Sequence, residues 1–442
     1  MVRRGVTFVY RQVLGLARVF FLFSVALFLP KLFLVRLYSA SANNFSRQSS
    51  FRLGVENLSE EFLRSICPKK GLNYSVGLVT NQTGKDQAGV RTVDILLKKG
   101  LKVSVLFSPE HGINGNFLAS QDVEDSRDPK SNIKIISLYR KGSTASFSAK
   151  SLKNVDVLFF DMQDSGMRHY TYITTLFKML EASAQYNKVA VVLDRPNLLG
   201  NCMEGPLVSS RLKSAISYAS IPIRYGMTVG ELATYYSKKV MKKPARLHVA
   251  RMKNYNRSSY AANGLIAHLS PNITSMNSCY GYSFLGLLGE IRPFDLGIGT
   301  SRAFQCILLS EDLKFPKKKW HELHQILKNG GVENSFYRYY STRRKQYCSG
   351  LRLRVANIHA VSSFKVFLDV VWFFKQSGLA LTYSEHFDKA AGSSDVRKFL
   401  EGEIKKEKLV QQVNRGLRGF FSRVQNAHCF LYKSLPKIVN LS

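Results

Sequence analysis

Between residues 72 and 193 the chain repeats one arrangement, a short β-branched or aromatic run followed by a longer stretch with apolar residues at helical spacing. Residues 74–80, 103–107, 133–137, 155–160 and 189–193 are apolar almost throughout, as expected of strands buried on both faces. Between the first two, residues 89–99 carry Val90, Val93, Leu96 and Leu97 at helical spacing. Residues 172–186 do the same with Ile173, Leu176, Phe177 and Leu180. Strand and helix in alternation predict an α/β fold, a mostly parallel sheet covered by helices. Past about residue 270 the pattern changes to glycine-rich loops and a Lys-rich helix over 314–328. A strand follows at 351–355, an apolar helix at 364–376, a loop at 387–394 and a charged helical stretch at 396–416. The expected division is a leader or anchor at 1–42, a linker or extension at 43–69, an α/β domain at 70–269, a smaller α+β domain at 270–430 and a tail at 431–442.

Length and composition agree with two globular domains, since 442 residues at 45% apolar content can bury ordinary cores. Charge adds a second constraint. The chain carries 64 Lys+Arg against 30 Asp+Glu, a formal charge of +34, which attracts polyanions. Its cations are spread along the whole chain with no zinc-finger spacing, basic zipper or RNA-binding aromatic signature, so nucleic acid is not the expected partner. An anionic wall polymer or a membrane surface is. Arg3, Arg4, Arg11 and Arg18 precede the apolar run 19–30, and Ala40-Ser41-Ala42 supplies a small-residue triplet. This is the order of a secretory signal, with Lys31 and Arg36 leaving an uncleaved anchor as the alternative. Either way the body is expected outside the cytoplasm. Six cysteines without a CxxC or a histidine at metal-site interval read as isolated thiols, and no metal or cofactor is expected.

Polar segments follow the strands directly, where open α/β sheets bind ligands. Thr80-Asn81-Gln82-Thr83-Gly84 offers amides and hydroxyls to a sugar, or simply a turn. Ser108-Pro109-Glu110-His111-Gly112 reads as an N-cap, a proline at the first helical position and a carboxylate in the first turn. Glu110 then either satisfies a helix dipole or acts as a general acid, with His111 beside it. The densest segment, 161–172, could pair Asp164 with Arg168, or could present Arg168 to a carboxylate, Tyr170 to a sugar face and Asp161 or Asp164 as a second catalytic carboxylate. Asp194-Arg195-Pro196-Asn197 closes another strand. Thr228 and Glu231 have capping-box spacing. No G-x-S-x-G elbow, P-loop, H-E-x-x-H or G-x-G-x-x-G follows the first strand.

Taken in order, GLVTNQTG at 77–84, LFSPEHGINGN at 106–116, FDMQDSGMRHYTYI at 160–173, LDRPN at 193–197, EGP at 204–206 and IPIRYGMTVGEL at 221–232 resemble the NamZ family of peptidoglycan exo-β-N-acetylmuramidases. SPN at 270–272, GIGTSRAF at 297–304 and FDKAAGSSDVRKFLEG at 387–402 extend the likeness. The resemblance implies a Rossmann-like amino-terminal domain and exo-release of N-acetylmuramic acid from non-reducing ends. It places the catalytic glutamate at Glu110. It makes Asn81, Gln82, His111, Gln163, Asp164, Arg168, Tyr170, Asp194, Arg195 and Asn197 pocket candidates, with Asp164 as a possible nucleophile or base and Arg168 or Arg195 for the lactyl carboxylate. An acetamido-assisted route needs no protein nucleophile. Two departures stand out: His268-Leu269 replaces a Trp-Pro pair before SPN, and Gly297-Ile298-Gly299 lacks the cation of a Gly-Arg-Gly turn. A non-catalytic peptidoglycan-binding protein and a membrane-anchored scaffold are the alternatives.

Overall fold

The five apolar runs form strands within two residues of their expected limits. They are β1 (Ser75–Thr80), β2 (Lys102–Ser108), β4 (Lys134–Ser137), β5 (Val157–Asp161) and β6 (Val189–Leu193), with a short β3 (Ser126–Arg127) between β2 and β4. The computed structural model describes residues 51–118, 121–140, 145–257 and 268–442; the expected leader and residues 43–50 lie outside these. Further strands are β7 (Cys202–Glu204), β8 (Arg224–Tyr225) and β9 (Arg246–Ala250). The main sheet runs β3-β4-β2-β1-β5-β6-β9, parallel except for the β3–β4 pair. Every residue of β5 and β6 is buried, which explains their unbroken apolar sequence.

Sheet order positions the site. The chain moves outward from β1 to β2 and β4, then returns to the other side of β1 to lay down β5, β6 and β9. At that reversal the connections leave in opposite directions, so a crevice opens beyond the carboxyl ends of β1 and β5. The covering helices are α1 (Glu60–Ile66), α2 (Thr92–Lys98), the short α3 (Ala149–Leu152), α4 (Tyr172–Gln185) and α5 (Val229–Lys239). Thr228 caps α5 in a capping box with Glu231, as its spacing predicts. Residues 52–66 pack on the sheet, with Leu53 and Val55 buried and the Gly54 amide donating to the Asp194 carbonyl at 3.0 Å.

Past residue 270 the strand pairs are antiparallel, except for β15 at the end of the chain. Here lie α6 (Met276–Leu285), β10 (Ile291–Arg292), β11 (Cys306–Ser310), α7 (Lys317–Asn329), β12 (Glu333–Ser341), β13 (Gln346–Arg354), α8 (Ser363–Gln376), β14 (Thr382–Tyr383), α9 (Phe387–Ala391), α10 (Ser394–Glu401), α11 (Lys406–Asn426) and β15 (Lys437–Ile438). β13 sits between β11 and β12, and α7 covers part of this sheet through Trp320, Leu323 and Leu327. β15 returns to pair with β7. One hydrophobic cluster reaches from Val79 to Leu441, so the core continues through the change of pattern.

Three expectations are corrected. No helix starts at Pro109: residues 110–115 are turns, with His111, Gly112 and Gly115 all at positive φ. The expected loop at 387–394 contains α9, and the single stretch at 396–416 is divided between α10 and α11. Gly392 and Gly402 end α9 and α10 in the left-handed region, which glycine enters freely.

Candidate active site

Beyond β1 and β5 the backbone closes tightly before any cavity opens. Thr80 and Asp161 are register partners, and the Thr80 hydroxyl donates to the Asp161 carbonyl at 2.9 Å. Gly84 folds back onto them; a Cβ there would lie 2.0 Å from Thr80 Oγ1. Asn81 Oδ1 accepts from the amide and hydroxyl of Thr83, whose hydroxyl oxygen in turn accepts the Gln163 amide. After these bonds, Asn81 Nδ2, Gln82 Oε1, Ser108 Oγ and Gln163 Oε1 remain buried without a partner among the described residues. Each such atom costs about 1–3 kcal/mol unless water or a ligand satisfies it, and their gathering at the ends of three adjacent strands marks a polar binding surface. Of these residues Gln82 reaches a cavity of about 600 Å³, lined also by Thr83, Asn114, Asn116, Arg195 and Ser270 among others. It is of the size that holds small ligands.

Glu110 lies two residues past the end of β2 and four before Asn114, which lines the cavity. Its Oε2 accepts the Thr171 hydroxyl at 2.7 Å. Since no helix follows Pro109, capping does not account for Glu110. His111 braces the turn from behind. Its Nδ1 donates to the Phe117 carbonyl at 2.7 Å. Gln82 Nε2 donates to the carbonyls of His268 and Leu269, and Gly115 lies so close to the Gln82 amide that no Cβ would fit.

The dense segment 161–170 is wholly buried, and its groups separate by what they bind. Asp161 holds Arg195 through Nε at 2.5 Å and Nη2 at 2.8 Å, and also accepts from the Thr92 hydroxyl. Arg195 Nη2 adds the Lys85 carbonyl, while Nη1 has no partner among the described residues and belongs to a side chain on the cavity wall. Arg168 is different. No Asp164–Arg168 ion pair forms. All five of its donors are taken, by the carbonyls of Pro206, Ile221, Ala390 and Ala391 and by the Ser217 hydroxyl. Burial without a carboxylate partner pulls its pKa down to about 9, and nothing is left over for a substrate carboxylate.

Asp164 lies inside as well. Burial pushes it up to about 7 against the opposing bonds from the Tyr225 hydroxyl and the Gly166 amide. Gln163 Nε2 donates to the carbonyls of Asp164 and Pro196. Tyr170 is buried, its hydroxyl given to the Leu269 carbonyl at 3.0 Å, so its ring is not a free sugar platform. Asp194 accepts from the amides of Arg195 and Gly230 and the hydroxyls of Thr228 and Tyr432; burial raises its pKa to about 6. Asn197 spans the Met227 carbonyl and the Leu199 amide. Both therefore hold loops together. Two further motifs resolve as buried ion pairs, Glu204 with Arg224 at 2.5 Å and Glu231 with Arg257 at 2.6 Å.

Sequence reasoning missed Thr171 and Tyr282. Thr171 was hidden among larger polar neighbours, although its place at the start of a helix behind the crevice was a usable signal. Tyr282, on α6, is half-buried against His169, Tyr170 and Phe304, and Glu110 is near enough for its charge to add to the burial that raises the phenol's pKa. No spacing in the chain links it to residue 110. His169 is buried with both ring nitrogens unpartnered among the described residues, and burial lowers it to about 3, so it is neutral. Among the described residues, no three His, Cys, Asp or Glu side chains gather as metal ligands, and all six cysteines are unpaired.

Fold and site define an open α/β protein whose switch-point crevice combines one oriented acid, a cation and unsatisfied amides, equipment for a polyhydroxylated, anionic ligand. The chain belongs to the exo-β-N-acetylmuramidase NamZ family: the family's amino-terminal model matches residues 76–277 and its carboxy-terminal model residues 280–432. It is 30% identical over 393 residues to the peptidoglycan β-N-acetylmuramidase NamZ of Bacillus subtilis (strain 168), covering 86% of this chain and 91% of that protein. Two crystal structures of DUF1343 family proteins from Bacteroides fragilis are similar in fold. The first gives a TM-score of 0.74 at 27% identity and covers 87% of this chain and 99% of its own. The second gives 0.66 at 25%, with 87% and 100% covered.

Proposed function

We propose that this chain is an exo-acting glycoside hydrolase that releases N-acetylmuramic acid from the non-reducing end of peptidoglycan fragments, with Glu110 as general acid. The observation that carries the reading is the Thr171–Glu110 hydrogen bond, which orients a carboxyl group just past the end of β2, in the loop that supplies Asn114 and Asn116 to the amide-lined cavity. Glu110 delivers its proton to the glycosidic oxygen as the bond to the anomeric carbon lengthens. Gln82, Asn114 and Asn116 offer amide donors and acceptors to the sugar, and Nη1 of Arg195 faces its lactyl carboxylate. Arg195 takes this part because Arg168 is fully engaged elsewhere. Asp164 is too enclosed to reach an anomeric carbon, which favours attack by the substrate's own acetamido oxygen. Export to the periplasm or cell exterior is part of the proposal and rests on the basic, apolar and small-residue order of residues 1–42.

The test compares the protein with Glu110→Gln on a chromogenic β-N-acetylmuramide and the matching β-N-acetylglucosaminide. Hydrolysis of the muramide alone, reduced at least about a hundredfold in the variant, is expected. A folded wild type that binds muropeptides without turnover would sink the enzyme reading in favour of a binding protein.

A further inference from the structure

The hairpin β12–β13 leaves part of one face uncovered. Strand alternation puts Phe336, Arg338 and Tyr340 on the same side of β12, and register places Tyr347 opposite Tyr340 and Ser349 opposite Arg338. α7 covers the sheet only as far as His321, whose ring meets Phe336 at 4.8 Å. Beyond that contact, Phe336, Tyr340 and Tyr347 are 55%, 49% and 47% exposed. Single exposed aromatics are ordinary, but three in one stripe are not.

The stripe is also ordered. Tyr340 and Tyr347 meet edge to face at 5.3 Å, and the Arg338 guanidinium lies 3.8 Å from the Tyr347 ring centre while its nitrogens grip Glu311 at 2.7 and 2.9 Å. Rings held this way lose little freedom when a ligand arrives. Arg343 and Lys345 are exposed at the hairpin tip with no hydrogen bond or ion pair among the described residues. Phe336 to Tyr340 spans about 13 Å along the strand, so the surface is elongated rather than pocket-like.

We propose that this face is a second glycan-binding surface, which holds the anionic glycan strand of peptidoglycan at a distance from the reacting end. Aromatic faces suit the C–H faces of pyranose rings, and the adjacent cations suit lactyl and peptide carboxylates. Charge complementarity selects this occupant: the hairpin region is rich in arginine and lysine, and the chain as a whole carries +34. The inference rests on the reading of peptidoglycan as substrate. An exo-acting enzyme gains from such a surface because it must return to strand ends, and a second contact raises the effective concentration of the polymer.

The experiment compares the full chain with Tyr340→Ala/Tyr347→Ala and with Tyr340→Phe/Tyr347→Phe. Co-sedimentation with purified insoluble peptidoglycan is measured beside hydrolysis of the small muramide and a thermal melt. The alanine pair should bind peptidoglycan about tenfold more weakly. It should hydrolyse the small muramide and melt like wild type, and the phenylalanine pair should still sediment. Equal sedimentation of the alanine pair overturns the proposal. So does a wild-type dimer that the alanine pair abolishes, because the stripe would then be covered by a second copy. A wild type inactive on the muramide counts against the hydrolase reading alone, and the sedimentation comparison still decides this surface.

Discussion

At the scale of single residues, the site is defined by which polar groups have something left to give. Thr171 is the N-cap residue of α4 yet makes no side-chain capping bond; its hydroxyl goes to Glu110 instead. Thr171→Val should therefore leave the helix intact and lower kcat by about tenfold, while Thr171→Ser keeps most of the rate. A valine variant as fast as wild type would remove Thr171 from the site. Arg195 gives two nitrogens to the protein and has one remaining. Arg195→Lys keeps a charge for Asp161 but loses the fork that can serve both sides. Its KM for the muramide should rise about tenfold with kcat little changed. Hydrolysis of the glucosaminide, which has no lactyl carboxylate, should stay as low as in wild type. From the chain alone, Arg168 and Arg195 are equivalent candidates. Each lies in a polar loop after a buried strand with an aspartate in the same loop, and the path of distant carbonyls distinguishes them.

At the scale of elements, the strands and long helices were legible because burial on both faces writes itself as unbroken apolar runs. The crevice was legible for the related reason that polar residues immediately after such runs sit at strand ends. Elements held by distant partners were not. α9 is five residues long, too short to stand by itself, and the carbonyls of Ala390 and Ala391 at its end are bound by Arg168 from more than two hundred positions away. The turn at 109–115 misled for the opposite reason: proline after serine resembles a helix start, but Gly112 and Gly115 at positive φ turn the chain away. The Arg168 clamp carries its own prediction. Gly392 sits at φ +74°, and a Cβ there would lie 2.5 Å from Arg168 Nη2. Gly392→Ala should destabilise the protein by more than about 1 kcal/mol, read as a lower urea midpoint. An unshifted midpoint would mean that the clamp yields easily.

At the scale of the whole molecule, the polar material closed inside the fold makes stability depend on pH. Asp164 is buried with a pKa raised to about 7 from 3.8, so between those values the folded state holds a proton that the unfolded chain releases. Its contribution is fully present below pH 3.8 and is lost as pH rises through about 7. Asp194, raised to about 6 by burial, acts in the same direction over a narrower range. His169 opposes them: lowered from 6.5 to about 3, it contributes above pH 6.5 and loses that contribution as the pH falls. Asp164→Asn isolates one of these slopes, since its oxygen can still accept from Tyr225 and Gly166. Relative to the variant, the wild type should lose up to a few kcal/mol as the pH rises from about 4 to about 8. Urea midpoints taken at both ends give the difference directly. Parallel stability curves would show that the Asp164 carboxyl ionises in the folded protein as readily as in the unfolded chain, and would overturn the raised pKa that its burial implies.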